Sequence, residues 1–274
     1  MTTDLQEHLL EILKWYHNFC EKHKLKYYAI GGTFLGAVRH KGFIPWDDDI
    51  DVAMPRPDYE RFILLMSQKE ETRFRLETPE SSNEDYLYTV SKLYDTSTTV
   101  VERVKTKCRR GVFLDIFPID GIGKTPQEVS KNYKKIYYKN LFFASRTSII
   151  RASRVWWKNL SIIFSQLIPS YIINDKKFLI ALDKECSKIS FSDSKFVGVL
   201  LTQYGTKYIM EKSIFEDTEQ YSFEGQLING VKDYEKFLTL IYGKDWRCLP
   251  PENKRLSGHD FDYVNLKQSY LSND

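Results

Sequence analysis

The sequence has few cysteines and no cysteine motif. Four occur among 274 residues, with no Cys-x-x-Cys pair and no histidine nearby at zinc-finger spacing. A disulfide framework is improbable in a chain of this size, and the spacing argues against a structural zinc site. We therefore expect free thiols in a reducing compartment.

Long hydrophobic runs are also missing. No stretch approaches the ~18 to 20 apolar residues that a transmembrane helix needs. The first ten residues contain Asp4, Glu7 and His8 instead of the apolar segment of a secretory signal. The sequence therefore predicts a cytoplasmic protein.

The chain has no strong excess of charge of either sign. Its formal net charge is +3, which by itself predicts neither a nucleic-acid binder nor a membrane protein. Hydrophobic residues make up 42% and aromatic residues 15%, so a sizeable core can form and disorder is not expected. The length suits one large domain, or one domain with an appended subdomain.

Local patterns predict helices and strands in the first half of the chain. Leu5 to Lys22 has apolar residues at helical spacing, and Thr33 to Arg39 forms a short helix after a glycine pair. Charged and apolar residues alternate from Asp48 to Met54, which predicts a strand with one polar face. The further predicted strands are Lys26 to Ile30, Arg73 to Glu77, Tyr86 to Tyr94, Thr98 to Glu102 and Gly111 to Phe117. From Lys177 onward we expect mixed helix and loop.

An aspartate cluster is the first candidate for chemistry. On a strand, Asp47, Asp49 and Asp51 would project to one side while Asp48 points away. Like charges along one edge repel, and a cation relieves the repulsion. Carboxylate oxygens suit Mg²⁺ or Mn²⁺. The alternative is an exposed acidic loop, which the apolar flanks of the cluster disfavour.

A glycine turn precedes the aspartates. Gly31, Gly32 and Thr33 lie at a strand-to-helix junction, where backbone N–H groups and a helix N-terminus can approach a phosphate. Arg39, His40 and Lys41 follow the helix and can neutralise charge on a leaving nucleotide. The two elements together predict a metal–phosphate site.

A third carboxylate is available in an apolar strand. Asp115 is flanked by apolar residues, where a lone charge is costly. It is either a salt-bridged core residue or a metal ligand or general base. Asp120, two residues after Pro118, is predicted to be a turn residue.

The run from Gly31 to Val52 closely resembles the signature of the LicD family, which includes bacterial phosphocholine transferases and, more distantly, fukutin-type phosphotransferases. The match continues through Met54-Pro55-Arg56 and Asp58-Tyr59 and resumes from Gly111 to Asp120. It ends with Tyr242-Gly243, Trp246, Pro250-Pro251 and Arg255, whereas residues 129–216 match poorly.

The resemblance implies an α+β fold of the nucleotidyltransferase type, with a mixed sheet flanked by helices and an additional helical subdomain. It implies Mg²⁺ (or Mn²⁺) on Asp49 and Asp51, with Asp47 in support and Asp115 as third ligand. It also implies a CDP-linked donor, whose phosphates would lie at Gly32 and Thr33. The implied reaction is transfer of a phospho-alcohol, most commonly phosphocholine, to a hydroxyl of a cell-surface glycan precursor, which can be lipid-linked.

A basic, aromatic block follows the predicted catalytic core. Residues 129–174 contain no acidic residue and eight lysines and arginines, among them Arg146, Arg154 and Lys158, interleaved with aromatic residues such as Trp156 and Trp157. It is a helical subdomain with a solvated basic face, a surface for anionic lipid, or a docking site for an anionic polymer. Nucleic-acid binding is disfavoured because no recognised motif is present.

The expected organisation is a catalytic core over 1–125, a helical insertion over 126–215 and a C-terminal segment over 216–274 that completes the site. Tyr242 and Trp246 form either an aromatic box for a quaternary ammonium or ordinary packing. Two other functions stay open: transfer of glycerol phosphate, ribitol phosphate, sugar phosphate or a nucleotidyl group by the same fold, and an inactive scaffold in a glycan-assembly complex.

Overall fold

A mixed β-sheet forms the centre of the protein. The structure, a computed structural model, describes residues 2–69, 73–151, 155–202, 204–255 and 261–272. Its helices are α1 Asp4–His23, α2 Gly31–Arg39, α3 Arg56–Ser67, α4 Pro126–Thr147, α5 Trp156–Gln166, α6 Asp175–Cys186 and α7 Tyr234–Tyr242. Its strands are β1 Tyr28–Ala29, β2 Asp51–Pro55, β3 Phe74–Glu77, β4 Ser91–Asp95, β5 Thr99–Glu102, β6 Arg109–Arg110, β7 Phe113–Gly123, β8 Phe196–Gly198, β9 Ile209–Glu211, β10 Thr218–Phe223, β11 Gln226–Val231 and β12 Phe261–Asn265.

The main sheet has the strand order β1-β2-β7-β4-β3. Strands β2 and β7 are parallel, the other neighbours are antiparallel, and β8 pairs with the second part of β7. Helix α1 begins with a capping box, in which Thr3 and Gln6 each accept the other's backbone N–H. The buried face of α1 joins the core below the sheet. These features confirm the predicted α+β class, with a mixed sheet flanked by helices.

Strand β7 is longer than the sequence predicted. It continues past Pro118 to Gly123, and Asp120, predicted to be a turn residue, is a buried strand residue 1% exposed. The Asp115 N–H donates to Ile50 on the β2 side, so alternate residues, including Pro118, direct their backbone groups to the other side. On that side, β4 pairs with β7 only as far as Ile116, and β8 pairs with β7 only from Asp120 onward. The missing N–H of proline therefore interrupts no ladder.

Two predicted strands begin later than expected. Strand β2 starts at Asp51 instead of Asp48, because the chain makes a turn in which the Asp47 N–H donates to the Ile44 carbonyl. Strand β4 starts at Ser91 instead of Tyr86, whose N–H is used in a turn with Asn83. Alternation in the sequence indicated both strands but not where their ladders begin.

Helices α4, α5 and α6 form the additional helical subdomain. A second apolar cluster joins α4 and α6 to the end of β7, and its buried members are Ile122, Ile136, Phe143, Leu179, Leu182, Cys186 and Leu200. The expected basic face is smaller than the sequence indicated, because Arg146 is buried and pairs with Asp175. Arg154 lies outside the described residues.

Strands also occur in the C-terminal part of the chain, where the sequence predicted helix and loop. The β10–β11 hairpin covers β1 and α2: the Asn229 N–H donates to the Tyr27 hydroxyl over 3.1 Å. A Cβ atom at Gly230 would lie 2.3 Å from the Phe34 ring, so the hairpin backbone touches α2 directly. The domain boundaries expected at residues 125 and 215 stay a prediction.

None of the helices in the described part of the chain combines the length and the hydrophobicity needed to cross a bilayer.

Candidate metal and donor site

The N-terminus of α2 lies against two carboxylates. Gly31 has a left-handed backbone (φ +57°), and a Cβ atom there would lie 2.8 Å from Asp51 Oδ2. At Gly32 a Cβ atom would lie 2.2 Å from Asp47 Oδ2. Both glycines are therefore required by the close approach of carboxylates, in addition to any role at a phosphate. The positive end of the helix dipole favours negative charge at this position.

Asp51 is fixed by its backbone on the first position of β2. Its N–H donates to the Thr33 hydroxyl over 2.9 Å, and its carbonyl accepts from the Ile30 N–H over 3.1 Å. Thr33 is 2% exposed, so its observed role is to position Asp51. In the parallel ladder Asp51 pairs with Asp115 of β7, which brings two of the predicted site residues side by side.

Asp47, Asp48 and Asp49 precede the strand as a partly buried loop. One carboxylate oxygen from each lies within 4.8 Å of the others. Asp48 therefore joins the group, and the predicted arrangement with Asp48 pointing away is wrong because these residues are not on a strand. The Asp47 carbonyl accepts from the Gln6 side chain over 2.8 Å, which anchors the loop to α1.

The carboxylates act on one another. Burial raises the pKa of the Asp51 carboxyl well above its usual range. The neighbouring carboxylates raise this pKa further, in the order Asp49, Asp115 and Asp47, and the Lys92 ammonium lowers it. The carboxylate oxygens of Asp47, Asp48 and Asp49, within 4.8 Å of one another, form an oxygen donor set that a divalent cation neutralises, and Asp51 feels the charge of Asp49, so the residues fit Mg²⁺ or Mn²⁺.

Asp115 has a charged partner that its neighbours in sequence do not indicate. The Lys92 ammonium, 2% exposed on β4, lies 2.9 Å from Asp115 Oδ1 and also contacts the Tyr88 and Phe113 rings. The salt-bridged alternative for Asp115 is thus present in the structure, and metal binding by Asp115 stays a prediction. The available signal was a lysine within a predicted strand, Tyr86 to Tyr94, whose neighbours include Val90 and Leu93.

Three tyrosines line the site on the C-terminal side. The Tyr208 hydroxyl accepts the Gly31 N–H over 3.0 Å. The Tyr204 ring lies beside this tyrosine, with ring centroids 5.5 Å apart, and contacts the Tyr242 ring with centroids 6.4 Å apart. Burial raises the pKa of both Tyr204 and Tyr242. Trp246 is 5% exposed and packs on Tyr234, so of the proposed aromatic pair the tryptophan has a packing role.

The cations expected at the donor lie at the other end of α2. Nine helical residues span about 12 Å, which separates Arg39 from Gly31. The Arg39 guanidinium donates to the Trp246 and Cys248 carbonyls over 2.8 and 3.1 Å, so it anchors the C-terminal segment. Burial lowers the pKa of His40, and Arg39 lowers it further. Lys41 occupies a left-handed turn (φ +61°) after α2. The donor-binding roles of these three residues stay predictions.

The chain matches the sequence model of a family described as LicD/FKTN/FKRP, nucleotidyltransferase domain, over residues 24–157. It is 32% identical over 259 residues to the lipopolysaccharide cholinephosphotransferase LicD of Haemophilus influenzae, covering 91% of this chain and 92% of the relative. Shorter matches reach uncharacterized proteins of Rickettsia typhi (37% over 68 residues, 25% of this chain and 22% of the relative) and Rickettsia prowazekii (44% over 50 residues, 18% and 19%). The matched region contains the glycine turn, the aspartate loop and Asp115, and the chain belongs to the LicD family.

Proposed function

We propose that this protein transfers phosphocholine from CDP-choline to a hydroxyl group of a cell-surface glycan precursor. The observation that carries the proposal is the position of Asp47 and Asp51 against the N-terminus of α2, with Asp115 beside Asp51 in the parallel ladder. The similarity along nearly the whole chain to a lipopolysaccharide cholinephosphotransferase supports phosphocholine as the transferred group and a glycan as the acceptor.

Asp49 and Asp51 would hold a Mg²⁺ or Mn²⁺ ion, with Asp115 as third ligand. When bound, the ion would bind the donor diphosphate and offset its charge. The backbone N–H groups of Gly32 and Thr33 at the start of α2 are suited to the same phosphates. Because these groups belong to a short helix fixed between β1 and the β10–β11 hairpin, the site is preorganised for an anionic donor.

In the proposed reaction the acceptor oxygen forms a bond to the phosphorus that carries choline. The bond from that phosphorus to the bridging oxygen breaks, and CMP leaves. Asp115 or Asp47 accepts the hydroxyl proton, and Arg39 and Lys41 stabilise the departing CMP. Tyr204 and Tyr242 extend an aromatic group from Tyr208, whose hydroxyl contacts Gly31, and their rings can hold the trimethylammonium group by cation–π contact.

Release of CMP from CDP-choline, with and without Mg²⁺, tests the proposal, and CDP-glycerol and CDP-ribitol serve as competing donors. We expect Mg²⁺-dependent release from CDP-choline, increased by a glycan acceptor. Preference for another donor would support the same class of reaction with a transferred group other than phosphocholine. Absence of release and of nucleotide binding with every donor would favour the inactive scaffold.

The Asp49→Asn variant tests the assignment of the metal. We expect at least a ~100-fold loss of CMP release, because each ligand helps to position the ion and the donor. Titration with Mn²⁺ gives a second measurement that does not depend on turnover. Asp193→Asn, at an exposed carboxylate outside the site, is the matched control. Wild-type turnover and Mn²⁺ affinity in Asp49→Asn would show that Asp49 is not a ligand.

A further inference from the structure

Helix α5 turns its apolar side away from the protein. Its positions 156, 157, 160, 163, 164 and 167 fall within a sector of about 120° at 100° per residue. All six are large apolar side chains with substantial exposure, namely Trp156 72%, Trp157 55%, Leu160 40%, Ile163 39%, Phe164 66% and Leu167 68%. A surface helix normally has the opposite arrangement, with its apolar face on the core.

Polar groups fasten the inner side of α5. The Arg146 guanidinium, 3% exposed, donates to the carbonyls of Ser165 over 2.6 Å and Ile168 over 3.1 Å. The Gln166 amide donates to the carbonyls of Ser148 over 2.8 Å and of Arg146 over 3.2 Å. The helix is therefore held by charge-assisted and amide hydrogen bonds at its C-terminal end, which leaves its apolar side unused by the fold.

The surroundings of this side suit a membrane that contains anionic lipid. Lys158 is exposed, and its ammonium lies over the Trp157 ring, 5.5 Å from the centroid. Tyr171 and Ile172, which follow α5 in the chain, are also 87% and 63% exposed. No acidic residue occurs from Val129 to Asn174. In a two-fold contact with a second copy, the lysines and arginines of this segment would face those of the other copy. The segment offers no carboxylate to offset their repulsion, so such a contact is unfavourable.

We propose that α5 is an interfacial membrane helix, which lies in the plane of the bilayer and inserts its tryptophan-containing side into the headgroup region. Eleven residues span about 16 Å, far less than the hydrocarbon thickness, so the helix cannot cross. Tryptophan favours the membrane–water boundary, and flanking cations favour anionic headgroups. Insertion at α5 would keep the enzyme at a surface that carries lipid-linked acceptors, and it does not depend on the identity of the donor.

Binding to vesicles tests the proposal. The full chain is centrifuged with vesicles of phosphatidylcholine alone or mixed with phosphatidylglycerol, and tryptophan fluorescence is recorded. We expect binding to the mixed vesicles with a blue shift, and about a tenfold loss of binding in Phe164→Ser/Leu167→Ser. The matched control is Leu64→Ser/Leu227→Ser, which removes two leucines with 57% and 51% exposure elsewhere. Lys158→Glu should weaken binding to the mixed vesicles more than to the neutral ones.

Failure of this proposal is separate from failure of the proposed function, because CMP release without an acceptor is measured on the same variants and should not change. Absence of binding to mixed vesicles, or equal binding by Phe164→Ser/Leu167→Ser and the control, would overturn the membrane assignment. Sedimentation velocity identifies the rival occupant: a wild-type dimer that the Phe164→Ser/Leu167→Ser variant dissociates, without vesicle binding, would mean that a second copy covers α5.

Discussion

Gly32 is restricted by the space around it. It lies within α2 and needs no unusual backbone angle, but the Asp47 carboxylate occupies the position that a side chain would take. Glycine is therefore needed here even without a bound ligand, because it allows a carboxylate to approach the helix N-terminus.

Gly32→Ala should displace the Asp47 carboxylate, since the added Cβ atom would lie 2.2 Å from Oδ2. We expect at least a ~10-fold loss of CMP release and a loss of about 1–3 kcal/mol in the free energy of unfolding from overpacking. Steady-state kinetics and urea denaturation measure the two effects. Gly225→Asn is the control, because Gly225 has φ +77° and no atom within 4 Å of its Cβ position. Full activity in Gly32→Ala would mean that Asp47 moves without cost.

Lys92 and Asp115 form a buried ion pair that belongs both to the core and to the site. Lys92→Met keeps the aliphatic length but leaves the Asp115 charge without the ammonium 2.9 Å away. We expect a loss of about 3–5 kcal/mol in the free energy of unfolding, because a buried charge loses its partner. Urea denaturation measures it.

A double-mutant cycle supports this test. Lys92→Met/Asp115→Asn should recover part of the stability, since the remaining charge is removed as well. Lys232→Met, at an exposed pair with Asp217, should change stability by less than about 1 kcal/mol. A loss of the same small size in Lys92→Met would show that Asp115 finds compensation elsewhere.

Among the elements, helices with a complete local pattern were predicted best. Thr3, Gln6 and the apolar spacing of α1 all lie within the helix or beside it, so sequence alone locates both ends closely. The limits of a strand depend on partner strands that are distant in sequence. For this reason the predicted starts of β2 and β4 and the predicted length of β7 were wrong. Helix α2 was predicted from Thr33 but begins at Gly31, so the two glycines belong to the helix, and only the fold reveals the carboxylates that lie against them.

Helices α4 and α6 are joined by a charge cluster that makes stability depend on pH. Lys135 and Lys139 donate to the Glu185 carboxylate over 2.6 and 2.7 Å and lower the pKa of Glu185 to about 2. Because the folded pKa lies below the unfolded one, this stabilisation is present above about pH 4.5 and is lost as the pH falls toward 2.

Glu185→Gln should therefore lower the thermal midpoint at pH 7 but have little effect near pH 2, where the folded carboxylate is itself largely protonated. The lysines are largely exposed, so we expect no more than about 1 kcal/mol. Thermal unfolding monitored by circular dichroism at both pH values measures this difference. Glu219→Gln, at an exposed glutamate of the β10–β11 hairpin, is the control. An equal effect of Glu185→Gln at both pH values would contradict the assigned pKa shift.

Across the whole molecule, one arginine joins the two apolar cores. Arg56 begins α3, is 7% exposed and donates to Asp120 of β7 over 2.6 Å and to Asp183 of α6 over 3.0 Å. Arg56 belongs to the run that resembles the family signature, but its neighbours in sequence indicate no role for it. Its partners, 64 and 127 residues away, could not be inferred from local pattern.

Arg56→Met should cost about 3–5 kcal/mol in the free energy of unfolding, because it leaves two buried carboxylates facing each other. Urea denaturation with intrinsic fluorescence measures the loss. Hydrogen exchange should increase in α6 more than in α1, since α6 loses its connection to the sheet. The control is Arg247→Met, at an exposed pair with Glu235. Uniform exchange across both helices would show that the two cores unfold as one unit without this arginine.

In the site, as in the fold, some residues can be identified from their neighbours in sequence and others cannot. Asp49, Asp51 and Asp115 were found from their own neighbours in sequence, whereas Lys92, Tyr204 and Tyr208 reach the site through strand pairing and chain reversal. Tyr208, for example, bonds to Gly31 across 177 residues. Acidic residues in a local pattern can be predicted from the sequence. The residues that pair with them or hold them in place can be identified only from the folded structure.

The covering of α2 by the β10–β11 hairpin has a consequence for the order of synthesis. The carboxylates are all translated by residue 115, but Tyr208 and the hairpin that hold α2 follow later, up to Val231. At about 5–20 residues per second, a ribosome needs on the order of ten seconds to add them. During that interval a nascent chain carries every candidate ligand, but the helix α2 against which Asp47 and Asp51 lie is not yet covered, so we expect the chain to acquire donor affinity only after the hairpin has emerged.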